Sequence, residues 1–540
     1  MAAEIPSVTM TFTEETKITN SFIKELEFIK SAFEGNNKVI PELTITDRVI
    51  ERFREISQIP RPSKKLDAMR QYIINWCEKY NFIWRKDTYG NMIAIIGDPD
   101  KKTRNVPIIL QSHMDMVTTK TEDSKHNFDT DPIEIIIEGN IMRANNTTLG
   151  ADNGISLVAS MILAEDLETN HKEFFDNNVV YLLFTADEEI GCHGAENLNV
   201  YPFLPKDAYV INIDSEESGT VCGGSAGGSA AHILVPLKKY AINKQGLEVV
   251  TLKFYSLTGG HSGLDIGKGK ISAIKMLVNF LYRLKNLQID FRLISINGGN
   301  AHNAIPIAAE ASFLVKKDCA INVDEYISEI KRRYGEENIQ YNISYADPPS
   351  MEITTALGGS SFNKVVYYSD KILDILMVLH QGVIDINPYN NSCVETSTNV
   401  GIVKMTGKEL DINVLTRSFD VAALREYHSK LEIIAKLYGG KINKFCNYDG
   451  WNPDWQTNHI LNILKRTHIQ LFSKQCNVTK VHAGLETSIL LQKYPNWTCM
   501  SIGPTIHKAH THNEYCELDT IKPFYDWLKS TTMELNLTNL

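Results

Sequence analysis

The sequence has no long hydrophobic run and no excess of basic charge. Nowhere do about 18 uninterrupted apolar residues occur, so the sequence predicts no membrane-spanning helix. The net charge of -10 argues against nucleic acid or an anionic membrane as the main partner. The opening residues, MAAEIPSVTMTFTEETK, lack a basic start followed by an apolar core, so we expect no secretory signal.

Cysteine is sparse and unpaired in its spacing. The 9 cysteines form an odd set without any CxxC pair, which excludes zinc-finger spacing and does not suit a disulfide framework. Free thiols are typical of a reducing compartment. We therefore expect a cytoplasmic protein.

The length and the distribution of motifs predict an interrupted domain. A chain of 540 residues is too long for one ordinary core. The Gly-rich segment CGGSAGGS (222–229) marks a boundary, and motifs rich in acids and histidines lie on both sides of a middle region that has few. We predict an N-terminal extension (1–42), a catalytic domain in two parts (43–227 and 449–540) and a lid or insertion domain (228–448).

Apolar strands alternate with helical stretches in the first part of the predicted catalytic domain. The strands are VPIILQSHMDMV, NVVYLLFTADEE and DAYVINIDSEE. This order predicts an α/β fold with a mixed, largely parallel sheet.

Two adjacent glutamates, Glu188 and Glu189, follow the second of these strands. A carboxylate at the end of a core strand needs compensation for its charge, and a metal ion is the usual compensator. One carboxylate could bind a metal while its neighbour transfers a proton. Taken alone, a solvated acidic loop is the commoner arrangement.

Other strand ends carry further candidate ligands. His113 and Asp115 are two residues apart and share one face, which places Asp115 to orient the histidine. Asp152, in TLGADNGIS, is either a ligand or the cap of the helix that follows. Asp214 ends the third strand, whereas Glu216 and Glu217 after it are expected in a solvated loop.

Three histidines follow GPTI near the C-terminus, and spacing alone leaves open which of them is a ligand: His507, His510 and His512. With one of these, the candidates comprise two histidines and three carboxylates: His113, Asp152, Glu189, Asp214 and the late histidine. Such nitrogen and oxygen ligands suit Zn, Mn or Co. Two metals bridged by one carboxylate would share a nucleophilic water, and Glu188 is available as its base.

The motifs together resemble those of the M20 metallopeptidases, most closely the Xaa-His dipeptidase branch. They occur in the family's order from about residue 43 to the C-terminus: LQSHMDMV, TTLGADNGIS, LFTADEEIGCHGA, INIDSEE, TGGHSG, NAIP, VETSTN, RSFD, HAGLE, and GPTI with a late histidine. The resemblance implies a zinc-exopeptidase catalytic domain with an inserted α+β lid, two divalent metals with Zn foremost, and a homodimer.

The resemblance also implies a role for each residue of the centre. His113 and Asp214 would hold one metal, Glu189 and His510 the other, and Asp152 would bridge them. Asp115 and Glu188 would be catalytic: Asp115 would orient His113, and Glu188 would act as general base and then as general acid. A cis peptide bond is implied between Asp152 and Asn153.

Three residues of the lid are implied to bind substrate: His261, Asn303 and Arg417. An arginine suits a peptide's free carboxylate because its two-pronged head binds it bidentately. The alternatives are a structural salt bridge for Arg417 and turn formation for the other two. The sequence departs from relatives at two places. It has His302 just before NAIP, where they usually carry an arginine, and AHTHNE around the late histidine, where they have a proline-containing stretch. These departures concern the substrate preference and not the metal site.

We therefore expect a metal-dependent dipeptidase that hydrolyses short peptides, with Xaa-His dipeptides as leading substrates. The alternatives are another M20-type amidohydrolase (a tripeptidase or an aminoacylase) and a non-catalytic relic of the fold. The relic is disfavoured because Glu188, a base that mere binding does not need, accompanies a complete set of candidate ligands.

Overall fold

The computed structural model describes residues 43–101, 105–199, 203–240, 245–348, 365–366, 369–387 and 393–537. The predicted extension, 1–42, lies outside these residues. Among the residues described, no helix is long and apolar enough to cross a membrane.

The described helices are α1 Ile45–Ser57, α2 Asp67–Lys79, α3 Ala151–Asn170, α4 His193–Asn197, α5 Ala273–Asn286, α6 Asp324–Tyr334, α7 Ser369–Val378, α8 Val421–Leu437, α9 His459–Phe472, α10 Glu486–Lys493 and α11 Ile521–Glu534. The described strands are β1 Ile83–Lys86, β2 Met92–Ile96, β3 Ile108–His113, β4 Ile135–Glu138, β5 Ile141–Ala144, β6 Val180–Thr185, β7 Ala208–Asn212, β8 Thr220–Ser225, β9 Gly227–Pro236, β10 Lys239–Tyr240, β11 Leu247–Tyr255, β12 Gly260–His261, β13 Arg292–Gly298, β14 Ala304–Ile305, β15 Ala309–Lys316, β16 Gln340–Ala346, β17 Val365–Val366, β18 Gly382–Ile386, β19 Val394–Met405, β20 Glu409–Ser418, β21 Lys441–Tyr448, β22 Asn477–Val481, β23 Trp497–Ser501, β24 Ile506–His507 and β25 Tyr515–Glu517.

The first sheet has eight strands in the order β1-β2-β6-β3-β7-β23-β8-β22. The strand β3 is parallel to β6 and β7, and β23 is parallel to β7, whereas β1, β2 and β6 pair antiparallel. Every residue of β3 and β6 is buried, and so are the first 17 residues of α3, 151–167, which pack against these strands. Strands in which every residue is buried are typical of sheets covered on both faces. The α/β class with a mixed, largely parallel sheet is confirmed.

The second sheet has nine strands and belongs to a separate hydrophobic core. Eight strands follow the order β16-β11-β15-β13-β19-β20-β9-β21, β18 pairs with β19, and all the pairings are antiparallel. Helices α5 to α8 contribute buried residues to this core. The described strands of this sheet lie between Gly227 and Tyr448. This part of the chain is therefore an antiparallel α+β unit.

Replacing Leu182 by alanine is expected to destabilise the first core by about 2–5 kcal/mol, because the side chain in β6 is fully buried and its removal leaves a cavity. All 6 tryptophans pack in or against this core, so tryptophan fluorescence during urea unfolding measures the effect. Leu471→Ala is the control, since Leu471 is 42% exposed. Equal losses in the two variants would contradict the expectation.

Candidate metal centre

The candidate ligands meet at the carboxyl end of the first sheet, where parallel strands bring their last residues together. His113 is the last residue of β3, Asp214 follows β7, and Asp152 lies at the start of α3. The Nε2 atom of His113 is 3.0 Å from Asp152 Oδ1 and 3.8 Å from Asp214 Oδ1. The side chain of His113 is only 1% exposed. These three residues form one half of the centre.

His510 and Glu189 form the other half. The Nε2 atom of His510 is 2.9 Å from Glu189 Oε2 and 3.1 Å from Asp152 Oδ2. The Asp152 carboxylate therefore faces His113 with one oxygen and His510 with the other. The side chain of His510 is 56% exposed, so this half is open to solvent.

The turn that carries Asp152 is held by a buried carboxylate. Glu514 accepts hydrogen bonds from the backbone N–H groups of Leu149 (2.8 Å), Gly150 (3.0 Å) and Asp152 (3.1 Å). Gly150 has φ +71° and is the N-cap residue of α3, and the Asp152–Asn153 peptide bond is cis, as the resemblance implies. The side chain of Asp152 thus points into the centre and does not cap the helix.

A small sheet holds the segment that carries His510 next to the Asp152 turn. The strand β25, after His510, pairs with β5, which precedes the Asp152 turn, in a four-stranded sheet with β24 and β4. His507 pairs instead with Glu517 at 2.8 Å, and His512 contacts Asn513. Of the three late histidines, the structure therefore brings His510 to the centre.

Asp115 contacts both His113, at the end of β3, and the backbone of the two glutamates. Its side chain is fully buried and lies 3.5 Å from His113 Nδ1. It accepts hydrogen bonds from the Glu188 N–H at 3.1 Å, the Glu189 N–H at 3.3 Å and the Ser63 hydroxyl at 2.7 Å. One carboxylate thereby fixes the backbone of both glutamates relative to His113.

The centre holds more negative charge than its histidines balance. Burial raises the pKa of Glu188 and that of Glu189, each to about 7, and the nearby Asp152 adds to this effect. Burial opposes the charge of His510, but hydrogen bonds to Asp152 and Glu189 raise the pKa of this imidazole to about 12. Positive charge near these carboxylates therefore stabilises their ionised form.

The donor atoms fit a divalent metal. One ligand atom from each of His113, Asp152 and Glu189 lies within 4.8 Å of the others. The Oε1 atom of Glu189 is buried and has no hydrogen-bond partner among the residues described. Imidazole nitrogen and carboxylate oxygen are ligands for Zn, Mn or Co.

Sequence reasoning placed Glu216 in a loop, where the structure has it, but did not foresee its proximity to Asp152, and it missed Arg61. Glu216 is half-buried and its carboxyl lies within hydrogen-bonding reach of Asp152, while Glu217 is exposed. Arg61, in IPRPS, is 2% exposed and donates to the carbonyls of Met114, Asp115 and Gly150. An arginine between two prolines was the signal that the sequence offered for this contact.

Arg417, on β20, is a buried guanidinium whose described partners are neutral. It is 5% exposed and contacts the Tyr448 hydroxyl (3.0 Å), the Ser262 hydroxyl (3.4 Å) and His261 Nε2 (3.4 Å). Among the residues described it forms no salt bridge. A buried cation without an acidic partner is suited to bind an anion.

His261 and Asn303 lie beside each other near Arg417. The short strands β12 and β14 pair His261 with Ala304, and the carbonyl of Asn303 accepts from the Ser262 N–H at 2.9 Å. Burial, and then the charge of Arg417, lower the pKa of His261 to about 4. The Nδ1 atom accepts from the N–H groups of Gly263 and Leu264, so His261 also stabilises its own turn.

Two further histidines, His302 and His482, lie near Arg417. The His302 ring packs edge-on against Phe445 at 5.4 Å, and burial and then Arg417 lower its pKa. The Nε2 atom of His482, which sequence reasoning missed, lies 2.8 Å from the Ser397 hydroxyl. His482 therefore links the chain after β22 to the second sheet.

Known proteins resemble the chain over most of its length. Residues 109–534 match the peptidase family M20/M25/M40. The chain is 32% identical over 487 residues to the cytosol non-specific dipeptidase of Escherichia coli (strain K12), covering 89% of this chain and 96% of the relative.

Solved structures share the fold. The aminoacylhistidine dipeptidase of Vibrio alginolyticus superimposes with a TM-score of 0.71 at 29% identity, over 92% of this chain and 98% of that one. A tripeptidase of Staphylococcus aureus gives a TM-score of 0.50 at 13% identity, over 91% and 98% of the two chains. The resemblance inferred from the motifs is confirmed, and the chain belongs to peptidase family M20/M25/M40.

Proposed function

We propose that the chain is a metal-dependent dipeptidase that hydrolyses short peptides, with Xaa-His dipeptides as leading substrates. The observation that carries this proposal is the Asp152 carboxylate shared by the His113 and His510 halves of one buried centre. The Escherichia coli and Vibrio relatives, which are both dipeptidases by name, support it.

The proposed ligands follow the two halves of the centre: His113 and Asp214 for one cation, Glu189 and His510 for the other, and Asp152 for both. When bound, two divalent cations, Zn foremost, would polarise the scissile carbonyl and lower the pKa of water. Asp115 would keep the His113 ring in its orientation, because it contacts Nδ1 and leaves Nε2 toward the centre.

Glu188 is the proposed proton carrier. It directly precedes Glu189, its backbone is fixed by Asp115, and its Oε1 atom lies 3.4 Å from the Cys192 thiol. A carboxyl with a pKa raised toward neutrality can accept a proton from water and then donate it to the leaving amine. Both proton transfers thus depend on a group positioned within the centre.

Arg417, His261 and Asn303 are the proposed substrate-binding residues. Arg417 would bind the free carboxylate of the peptide, since its charge is buried and its described partners are neutral. His261, held neutral by its surroundings, would stabilise the oxyanion, and Asn303 would bind the peptide backbone.

We further propose that residues 228–448 form a lid on a catalytic domain made of 43–227 and 449–540, and that closure excludes water. The separate hydrophobic core of the second sheet supports this division. A cytoplasmic location is supported by the named location of the Escherichia coli relative. We also propose a homodimer on the basis of the family resemblance. Light scattering of the purified chain tests this proposal.

The function is tested by metal analysis of the purified chain coupled to a substrate panel. Metal-free protein should be inactive and should regain activity with two equivalents of Zn, Mn or Co. It should cleave dipeptides, Xaa-His foremost, faster than tripeptides or N-acyl amino acids. Faster cleavage of either of the other classes would overturn the dipeptidase proposal.

Replacing Glu188 by glutamine should lower kcat at least about 100-fold, because general acid–base catalysis contributes typically 10²–10⁴-fold. Metal content, measured by plasma mass spectrometry, should stay at the wild-type value since Glu188 is not a proposed ligand. Glu189→Gln is the matched comparison and should lose metal as well as activity. Full activity of Glu188→Gln would exclude the assigned role.

Replacing Arg417 by alanine should raise KM for dipeptides about 10-fold or more, because a charge-assisted hydrogen bond contributes about 1.5–3 kcal/mol. Dipeptide amides, which lack the carboxylate, should be cleaved equally by wild type and variant. Arg425→Ala is the control, since that side chain is 76% exposed. An equal loss on acids and amides would show that Arg417 does not recognise the carboxylate.

A further inference from the structure

Glu486 is a buried carboxylate that the proposed mechanism does not use. It is the first residue of α10, it belongs to the string HAGLE, and it is 2% exposed. Its Oε2 atom accepts hydrogen bonds from two neutral side chains, Gln111 (2.6 Å) and Thr185 (2.7 Å). Its Oε1 atom has no hydrogen-bond partner among the residues described. A buried carboxylate oxygen without a partner lowers the stability of the fold, so its presence calls for an explanation.

The hydrogen bonds of Glu486 continue across the sheet. Gln111 accepts from the Asn212 side-chain amide at 2.6 Å, and Asn212 in turn accepts from the Ser501 hydroxyl. We call this chain of side chains the polar ladder: Glu486, Thr185, Gln111, Asn212 and Ser501. Each of them is at most 2% exposed, and the last four lie on the adjacent strands β6, β3, β7 and β23.

The polar ladder lies directly beneath the proposed ligands. Gln111 is two residues before His113, and Asn212 is two residues before Asp214. Residues two apart on a strand share one face, so Gln111 lies on the same face of β3 as His113. Thr185 ends β6, the strand that leads to Glu188 and Glu189.

Glu486 supplies the acceptor at one end of this chain. Without it, the Gln111 amide and the Thr185 hydroxyl would lose their shared buried acceptor, and Gln111 would be left with its longer 3.2 Å contact to the Thr185 hydroxyl and the hydrogen bond from Asn212. A buried network holds one arrangement better the more of its groups are paired, and the loss of Glu486 would remove two of its hydrogen bonds. The neighbouring positions Leu110 and Leu182 show that this sheet otherwise packs with apolar side chains.

We propose that Glu486 is a positioning residue: by accepting hydrogen bonds from Gln111 and Thr185, it fixes the ends of β3 and β6 and thereby the spacing between His113 and the pair Glu188–Glu189. The inference rests on the proposed function for its effect on turnover. Its effect on metal affinity follows from the ligand positions alone.

The test compares Glu486→Ala, Glu486→Gln and Thr185→Val in the full chain. Loss of a group that orients metal ligands typically costs 10–100-fold in metal affinity or activity. Glu486→Ala should therefore weaken Zn binding by the metal-free protein at least 10-fold in a chelator competition, and should lower kcat similarly with little change in KM. Glu486→Gln keeps an acceptor oxygen, so its Zn affinity and kcat should stay within about 3-fold of wild type. Thr185→Val removes one donor, so its values should fall between those of Glu486→Gln and Glu486→Ala.

Thr467→Val is the matched control, because it removes a buried hydrogen bond (to Thr531, 3.0 Å) that joins α9 and α11 away from the centre. It should lower the melting temperature without changing Zn affinity or kcat.

A loss in Glu486→Gln as large as in Glu486→Ala would overturn the proposal, and so would unchanged Zn affinity in Glu486→Ala. If Glu486→Ala does not fold, Thr185→Val decides through the same titration. An inactive wild type would refute the dipeptidase proposal, and the Zn titration would still decide the role of Glu486.

Discussion

The structure depends on the burial of the Asp152 carboxylate between two imidazoles. One oxygen faces His113 and the other faces His510, so two segments separated by nearly 400 residues meet at a single functional group. Burying this charge requires opposite charge on both sides and a rigid turn beneath it. The backbone hydrogen bonds to Glu514 and the pairing of β25 with β5 satisfy the second requirement.

Under the proposed function, the first sheet would carry the catalytic groups and the second sheet would carry the groups that recognise the substrate. The parallel strands of the first sheet collect acids at their carboxyl ends, where no further backbone pairing separates the side chains. The antiparallel second sheet instead carries Arg417 among neutral partners. A peptide has a reacting carbonyl and a charged end, and these two sheets offer a group of suitable chemistry for each.

Much of the fold and of the centre could be predicted from the sequence. Apolar runs ending in His113, Glu189 and Asp214 predict parallel strands whose ends converge, and the order of the motifs predicts the family. The position of Glu216 near Asp152 could not be predicted, because its loop has φ +54° at Glu216 and accepts a backbone hydrogen bond from Ile506, which lies far away in sequence. Glu486 was missed for a similar reason: a glutamate in the first turn of a helix is common, and its buried partners come from β3 and β6.

The two halves of the centre differ in their access to water. His113 is 1% exposed and enclosed by the sheet, whereas His510 is 56% exposed on a surface turn. Under the proposed ligand assignment, an ion held by His510 would meet solvent on its imidazole side, whereas the imidazole side of an ion held by His113 would be closed off by the sheet. The two proposed ions would then differ in how fast they exchange, and the occupancy of the His510 site would follow the metal concentration of the surroundings more closely.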